Sequence, residues 1–183
     1  MQVKNPNTIK CVLIGDDGVG KTSLLVAYTR NKFPEVYVPD ILDTCAVNVT
    51  LKNKTYTLGL FDTSSFSCER DLSNTDVFLL CFSLDNPVSL QNAKEKWFTI
   101  IKMNNRKANI ILVGLKSDME NVINTNLSSK KLGEIVAKEL GCSIYLECSA
   151  KLLMGVSFVF DEAIRVSSST SICEKIARNC IPM

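Results

Sequence analysis

Histidine is missing from all 183 residues. Its absence excludes a Ser-His-Asp triad, a Cys-His dyad, a His-ligated zinc and any imidazole general base. Chemistry here must run on carboxylates, lysine, hydroxyls, thiols, backbone amides or a bound ion. There is no dense Lys/Arg run and the net charge is only +2, so a nucleic-acid-binding surface is not expected. No stretch approaches the roughly 20 apolar residues of a membrane span. The polar start MQVKNPNT predicts no secretory signal peptide. The eight cysteines form no CxxC pair, which argues against a zinc ribbon or a thioredoxin-type site. Without a secretory signal, most are expected to be reduced thiols in a cytosolic protein.

The chain is 46% hydrophobic and 22% charged, and its length fits one domain with a sizeable core. Strand and helix patterns alternate along it, with no internal repeat and no linker. Ile9–Ile14 is a β-branched apolar run, and Lys21–Tyr28 reads as a helix. Cys45–Leu51 and Thr55–Phe61 flank a turn at Lys52-Asn53-Lys54 and predict a hairpin. Val77–Ser83 and Asn109–Leu115 are almost continuously apolar, as strands covered on both faces are. Ile144–Leu146 is a shorter strand.

Three stripes with helical period lie between and after these strands. The first follows Asn86-Pro87 and carries Leu90, Ala93, Trp97, Ile100 and Ile101. The second has Leu132, Ile135, Val136 and Leu140, ending before Gly141, and the third Val156, Val159, Phe160, Ala163 and Ile164. All three are assigned to core packing. The order predicts an α/β fold with a mostly parallel sheet and one antiparallel edge strand. A polar tail is expected from the run at Ser167–Ser171.

Gly15–Thr22, GDDGVGKT, matches G-x-x-x-x-G-K-[ST] directly after a strand and opening a helix. Its glycines let successive backbone N–H groups turn toward a phosphate, and the helix N-terminus adds its positive end. Lys21 would reach the β- and γ-phosphates, and the Thr22 hydroxyl would ligate Mg²⁺. Asp62, at the end of a later strand, is placed to hold the same ion through water. Lys116 and Asp118, with Ser149, Ala150 and Lys151, follow two further strands, where ligands of open α/β sheets bind. A carboxylate such as Asp118 can accept from both guanine N1–H and N2–H, which adenine cannot offer.

The chain resembles a Ras-superfamily small GTPase, and more closely the Rho/Rac family. The carriers are GDDGVGKT, FPEVYVP at Phe33–Pro39, DTS at Asp62–Ser64, LLCFS, LVGLKSD and ECSAK at Glu147–Lys151. This resemblance implies a P-loop NTPase G domain over residues 8–166: a six-stranded, mostly parallel sheet with helices on both faces. It implies GTP/GDP and Mg²⁺ as ligands. Asp17, Gly18, Val19, Gly20, Lys21, Thr22 and Ser23 would surround the phosphates, with Ser65 at the γ-phosphate. Phe33 would lie against the guanine edge, Ala150 N–H would contact its O6, and Lys116 and Lys151 would sandwich the base. Effectors would engage Phe33–Asp43 and Asp62–Asn74, and an exchange factor, GAP or GDI would be further partners of a monomer.

Hydrolysis in that family uses groups that this sequence lacks. Asp17 replaces a P-loop glycine, Asp40 a switch threonine, Ser65 the D-x-x-G glycine and Phe66 the water-orienting glutamine. A bulky anion at 17 would crowd the transition state, and Phe66 cannot polarise water. An arginine finger alone is worth about 10³–10⁵ in rate, so losing several such parts should leave negligible turnover. Asp40 is open to two readings: its carboxylate can ligate Mg²⁺, or it can repel the γ-phosphate. Leu115 stands where a hydrogen-bonding Asn or Thr is usual. Among Rho relatives the atypical Rnd group, persistently GTP-bound, is the nearest pattern.

Residues 167–183 are expected to form a flexible tail ending in Cys180-Ile181-Pro182-Met183, a C-a-a-X match in which Met favours farnesyl. One lipid gives marginal membrane binding, so a second signal is expected. Cys173 is open between palmitoylation and a plain tail thiol. The expectation is a signalling protein at the cytoplasmic face of membranes, with cytoskeletal regulation as the implied role. Its alternatives are a slow GTPase assisted by a GAP, or a nucleotide-free scaffold.

Overall fold

The computed structural model describes residues 7–34, 44–63, 72–122 and 129–179. Six strands carry the fold: β1 (Thr8–Ile14), β2 (Thr44–Leu51), β3 (Lys54–Asp62), β4 (Val77–Ser83), β5 (Asn109–Leu115) and β6 (Ile144–Cys148). The main helices are α1 (Lys21–Arg30), α2 (Pro87–Asn92), α3 (Phe98–Asn104), α4 (Ser129–Leu140) and α5 (Val156–Asn179). A single π-helical turn, Ala93–Trp97, joins α2 to α3. A short 3₁₀ segment covers Ser117–Val122.

The strands form one sheet in the order β2-β3-β1-β4-β5-β6. Every pairing is parallel except β2 with β3, which makes β2 the antiparallel edge expected from the sequence. The hairpin turns on Lys52 and Asn53, both at positive φ (48° and 60°). Two left-handed residues in succession match the right-handed twist of the flanking strands. Lys54 belongs to β3 rather than to the turn.

β4 is buried along its whole length, and β5 along all but Asn109. One side of the sheet packs Leu13, Leu79 and Val113 against α1 and α5, where Tyr28 and Phe160 stack with centroids 3.9 Å apart. The other side packs Val12, Phe78 and Leu112 against Leu90, Ala93 and Ile101 of the α2–α3 segment and Val136 of α4. Helices therefore cover both faces. All five apolar residues assigned to the α5 stripe are buried.

Helix α4 departs from its sequence reading. Leu132 and Ile135 are exposed, and the buried stripe is Gly133, Val136 and Ala137. Tyr145 of β6 decides the rotation. A Cβ on Gly133 would lie 2.1–2.5 Å from three Tyr145 ring atoms, so the glycine gives the helix a flat seat on the ring. The serine run after Val166 is helical too. Ser167 and Ser168 hydroxyls donate to the carbonyls of Ala163 and Ile164, and Ser167 is buried. Such bonds to i−4 carbonyls satisfy the hydroxyls inside the helix. α5 therefore passes without a break across the predicted start of the tail. Among the described residues no helix is long and apolar enough to cross a membrane.

Candidate functional site: a phosphate loop and a base pocket

The loop after β1 curls because three of its glycines take positive φ: 156° at Gly15, 75° at Gly18 and 112° at Gly20. At Gly15 no side chain fits, since a Cβ would meet the Cys81 carbonyl oxygen of β4 at 2.1 Å. Gly20 caps α1, and no side chain caps that N-terminus. No acidic residue occupies its first turn either. A helix start left open in this way, directly after a glycine loop, is the kind of N-terminus that suits an anion.

Lys21 is only 3% exposed, and its ammonium donates to the carbonyls of Gly15 (2.9 Å) and Asp16 (2.8 Å). A buried ammonium needs such oxygens to offset its lost hydration. These bonds lay the lysine back across its own loop, which fixes the curl and the direction of the charge. Val19 is buried in the core and offers the site only its backbone. Asp17 and Gly18 are exposed on the outer turn.

The Thr22 hydroxyl donates to Oδ2 of Asp62, joining the start of α1 to the end of β3. Asp62 is buried, positioned by the parallel pairing of Leu13 with Asp62. A hydroxyl and a carboxylate are the oxygen donors a magnesium ion takes beside phosphate oxygens.

On the other side of Gly20 lies a cavity of about 150 Å³ lined by Gly20, Ser23, Phe33, Leu115, Lys116, Asp118, Met119, Ala150 and Lys151. Its mouth is at the carboxyl ends of β5 and β6, where their pairing brings Leu115 opposite Cys148. The fully buried Ser149 donates to Asp118 Oδ1 at 2.6 Å, and Ser149 Oγ also accepts from Leu152 N–H at 3.0 Å. The Ser149 bond thereby fixes Asp118 in the cavity wall.

Residues 10–169 match the model of the Ras family. The chain belongs to that family.

As a Ras-family domain it binds guanine nucleotide in signalling. The residues present fit a nucleoside phosphate with a divalent cation: the uncapped helix start, the buried Lys21, and the Thr22–Asp62 pair of hard oxygens. Gly18, Gly20, Lys21, Thr22 and Ser23 would hold phosphate, with Thr22 and Asp62 toward Mg²⁺. Phe33, Lys116, Asp118, Ala150 and Lys151 line the cavity that would take the base, and Ser149 would act through Asp118. Asp40, Ser65, Phe66 and Cys180 lie outside the described residues. Cys173 falls within α5.

One polar group of the site was not read from the sequence. Lys116 Nζ donates to Asp85 Oδ2 at 3.2 Å, and Ser83 Oγ donates to the other oxygen of the same carboxylate. The Ser83 hydrogen bond, more than Lys116, holds the Asp85 carboxyl below the usual carboxylate range. Asp85 lies two residues past β4, among the strand ends where ligand groups gather, and that position is the signal that would have found it.

Proposed function

We propose that this chain is a Rho-like member of the family that holds GTP and hydrolyses it very poorly, acting as a persistent membrane-anchored signal. The carrying observation is Asp17. It stands exposed on the outer turn of a phosphate loop whose other parts are all in place. The base cavity and the loop support retention of nucleotide. An anionic side chain on the loop, with Phe66 in the glutamine slot, works against the geometry of hydrolysis. The Rho-like reading rests on the sequence motifs, as do effector docking at Phe33–Asp43 and Asp62–Asn74 and prenylation of Cys180. Attachment to the cytoplasmic face of membranes, and control of the cytoskeleton, follow from that reading.

The test is to release the nucleotide from freshly purified protein, identify it by chromatography, and follow a single turnover of loaded GTP. Bound GTP that persists over hours is the expected result. GDP, with loss of the γ-phosphate during the single turnover, replaces this proposal with a conventional slow GTPase. No nucleotide replaces it with a scaffold.

A further inference from the structure

Asp16 sits in the phosphate loop, yet its carboxylate points away from the phosphate side. Asn92 Nδ2 donates to Asp16 Oδ2 and Trp97 Nε1 donates to Oδ1, each at 2.7 Å. The donors come from the α2–α3 segment, more than seventy residues along the chain. The backbone carbonyl of this same residue accepts from Lys21 Nζ. Asp16 is thus gripped at both ends, by a distant helix through its side chain and by the phosphate lysine through its carbonyl.

The π turn makes the grip possible. Asn92 and Trp97 are five residues apart, and on an ordinary α-helix their side chains would diverge by about 140°. Across Ala93–Trp97 the hydrogen bonding is i to i−5, with Phe98 N–H donating to the Ala93 carbonyl. A wider turn returns residues five apart to nearly one face. Both donors therefore reach the two oxygens of one carboxylate. Ala93, fully buried, anchors the turn on the sheet, and the Lys96 ammonium covers the Trp97 ring at 4.2 Å from its centroid.

We infer that Asp16 is a positioning residue of the phosphate site, and that the Asn92–Trp97 clamp on the π turn holds the loop and Lys21 in register and so sets how long nucleotide stays bound. The clamp acts on the ground state of the loop. Losing a donor leaves a charged acceptor under-bonded and frees the Asp16 carbonyl to move with Lys21. The effect belongs in the dissociation rate, where most affinity changes between related complexes appear. This inference rests on the reading of the loop as a nucleotide site.

The full chain is loaded with a fluorescent methylanthraniloyl-GDP, and its release is chased with excess GDP in Mg²⁺. Trp97→Phe keeps an aromatic ring, though a smaller one, and removes the N–H; Asn92→Leu keeps the shape and removes the amide. Each is expected to raise the dissociation rate at least roughly fivefold, since bonds to charged groups are the stronger class. Ile101→Val, a core truncation in α3 away from Asp16, lowers thermal stability but keeps the rate within about twofold of wild type; this separates positioning from general loosening. Trp97 is the only tryptophan, so intrinsic emission reads the clamp directly, and Asp16→Ala shifts that emission in the folded protein. Failure of the wild type to load the probe defeats the nucleotide reading itself. Normal loading with unchanged rates in both donor variants, or emission unmoved by Asp16→Ala, defeats the clamp alone.

Discussion

The Lys116 ammonium and the Asp85 carboxylate form an ion pair of 3.2 Å that ties the base pocket to the end of β4. Lys116 needs a tie because its backbone is left-handed, with φ at 60°, a conformation costly for a residue with a side chain. Its neighbour Leu115 is buried and apolar, so its side chain brings no hydrogen bond to the loop. Asp85→Asn keeps the shape and removes the charge. It is expected to raise guanine-nucleotide dissociation severalfold, measured by the same fluorescent-nucleotide chase. Because the folded carboxyl titrates below its ordinary value, chiefly through the Ser83 hydrogen bond and less through Lys116, the carboxylate's contribution to stability is complete above the usual aspartate range near about pH 4. It is lost as pH falls through the lowered value. Urea unfolding should separate wild type from Asp85→Asn more widely at pH 6 than at pH 3.

Gly15→Ala tests the close approach of the phosphate loop to β4. The added methyl would lie 2.1 Å from a backbone carbonyl that has no room to move within a fully buried strand. The expected loss is about 3 kcal/mol by denaturant unfolding, near the upper end for overpacking. A loss below about 1 kcal/mol would mean that the loop lifts easily from the sheet.

If Asp118 is the acceptor for guanine, Asp118→Ala removes it, and the change also leaves the buried Ser149 hydroxyl without its 2.6 Å partner. Hydrogen bonds to a charged acceptor are worth about 1.5–3 kcal/mol. GDP affinity should therefore fall by roughly a hundredfold or more while ADP affinity barely changes, as read by competition against a fluorescent nucleotide. Equal losses for both bases would show that Asp118 supports the pocket wall rather than reading the base.

Thiol chemistry should sort the cysteines by burial. Burial pushes Cys148 up to about 12 and Cys142 up to about 11, and raises Cys11 and Cys81 strongly. Half-buried Cys45 is raised as well. At pH 8 in the folded protein, alkylation followed by mass spectrometry should leave Cys11, Cys81 and Cys148 unmodified and reach Cys45 first among the five. These thiols ionise more readily when unfolded, so stability should decline as pH rises above the ordinary thiol range of about 8.5.

The phosphate loop and the strands beneath it were legible because both rest on local rules. GDDGVGKT carries its own backbone requirements, and uniformly apolar strands such as Val77–Ser83 declare burial on both faces. The Asn86 cap was legible too, and its side chain accepts from Val88 N–H at 3.1 Å. What escaped depends on partners remote in sequence. The helical period could not say that Leu132 and Ile135 face outward, because the Tyr145 ring sets the rotation of α4 through Gly133. Nor could it show a π turn, since one widened turn leaves Leu90, Ala93 and Ile101 all on the buried side. Nothing local marks Asp16 or Asp85; their partners Trp97 and Lys116 are brought to them only by the fold.

The strand order also sets a schedule for synthesis. β1 is one of the two central strands; paired on one side with β3, it waits for β4, ending at Ser83, to cover its second edge. β4 in turn waits for β5, and β5 for β6, which ends at Cys148. The face of β1, β4 and β5 that carries Leu13, Leu79 and Val113 has only α1 as cover for longer still, because α5 begins only at Val156. A ribosome adding about 5–20 residues per second therefore leaves that surface open to chaperones until almost the whole domain has emerged. Among the described side chains of α5, Val166 is the last buried apolar one, so shortening the chain past that point from its C-terminus removes interior.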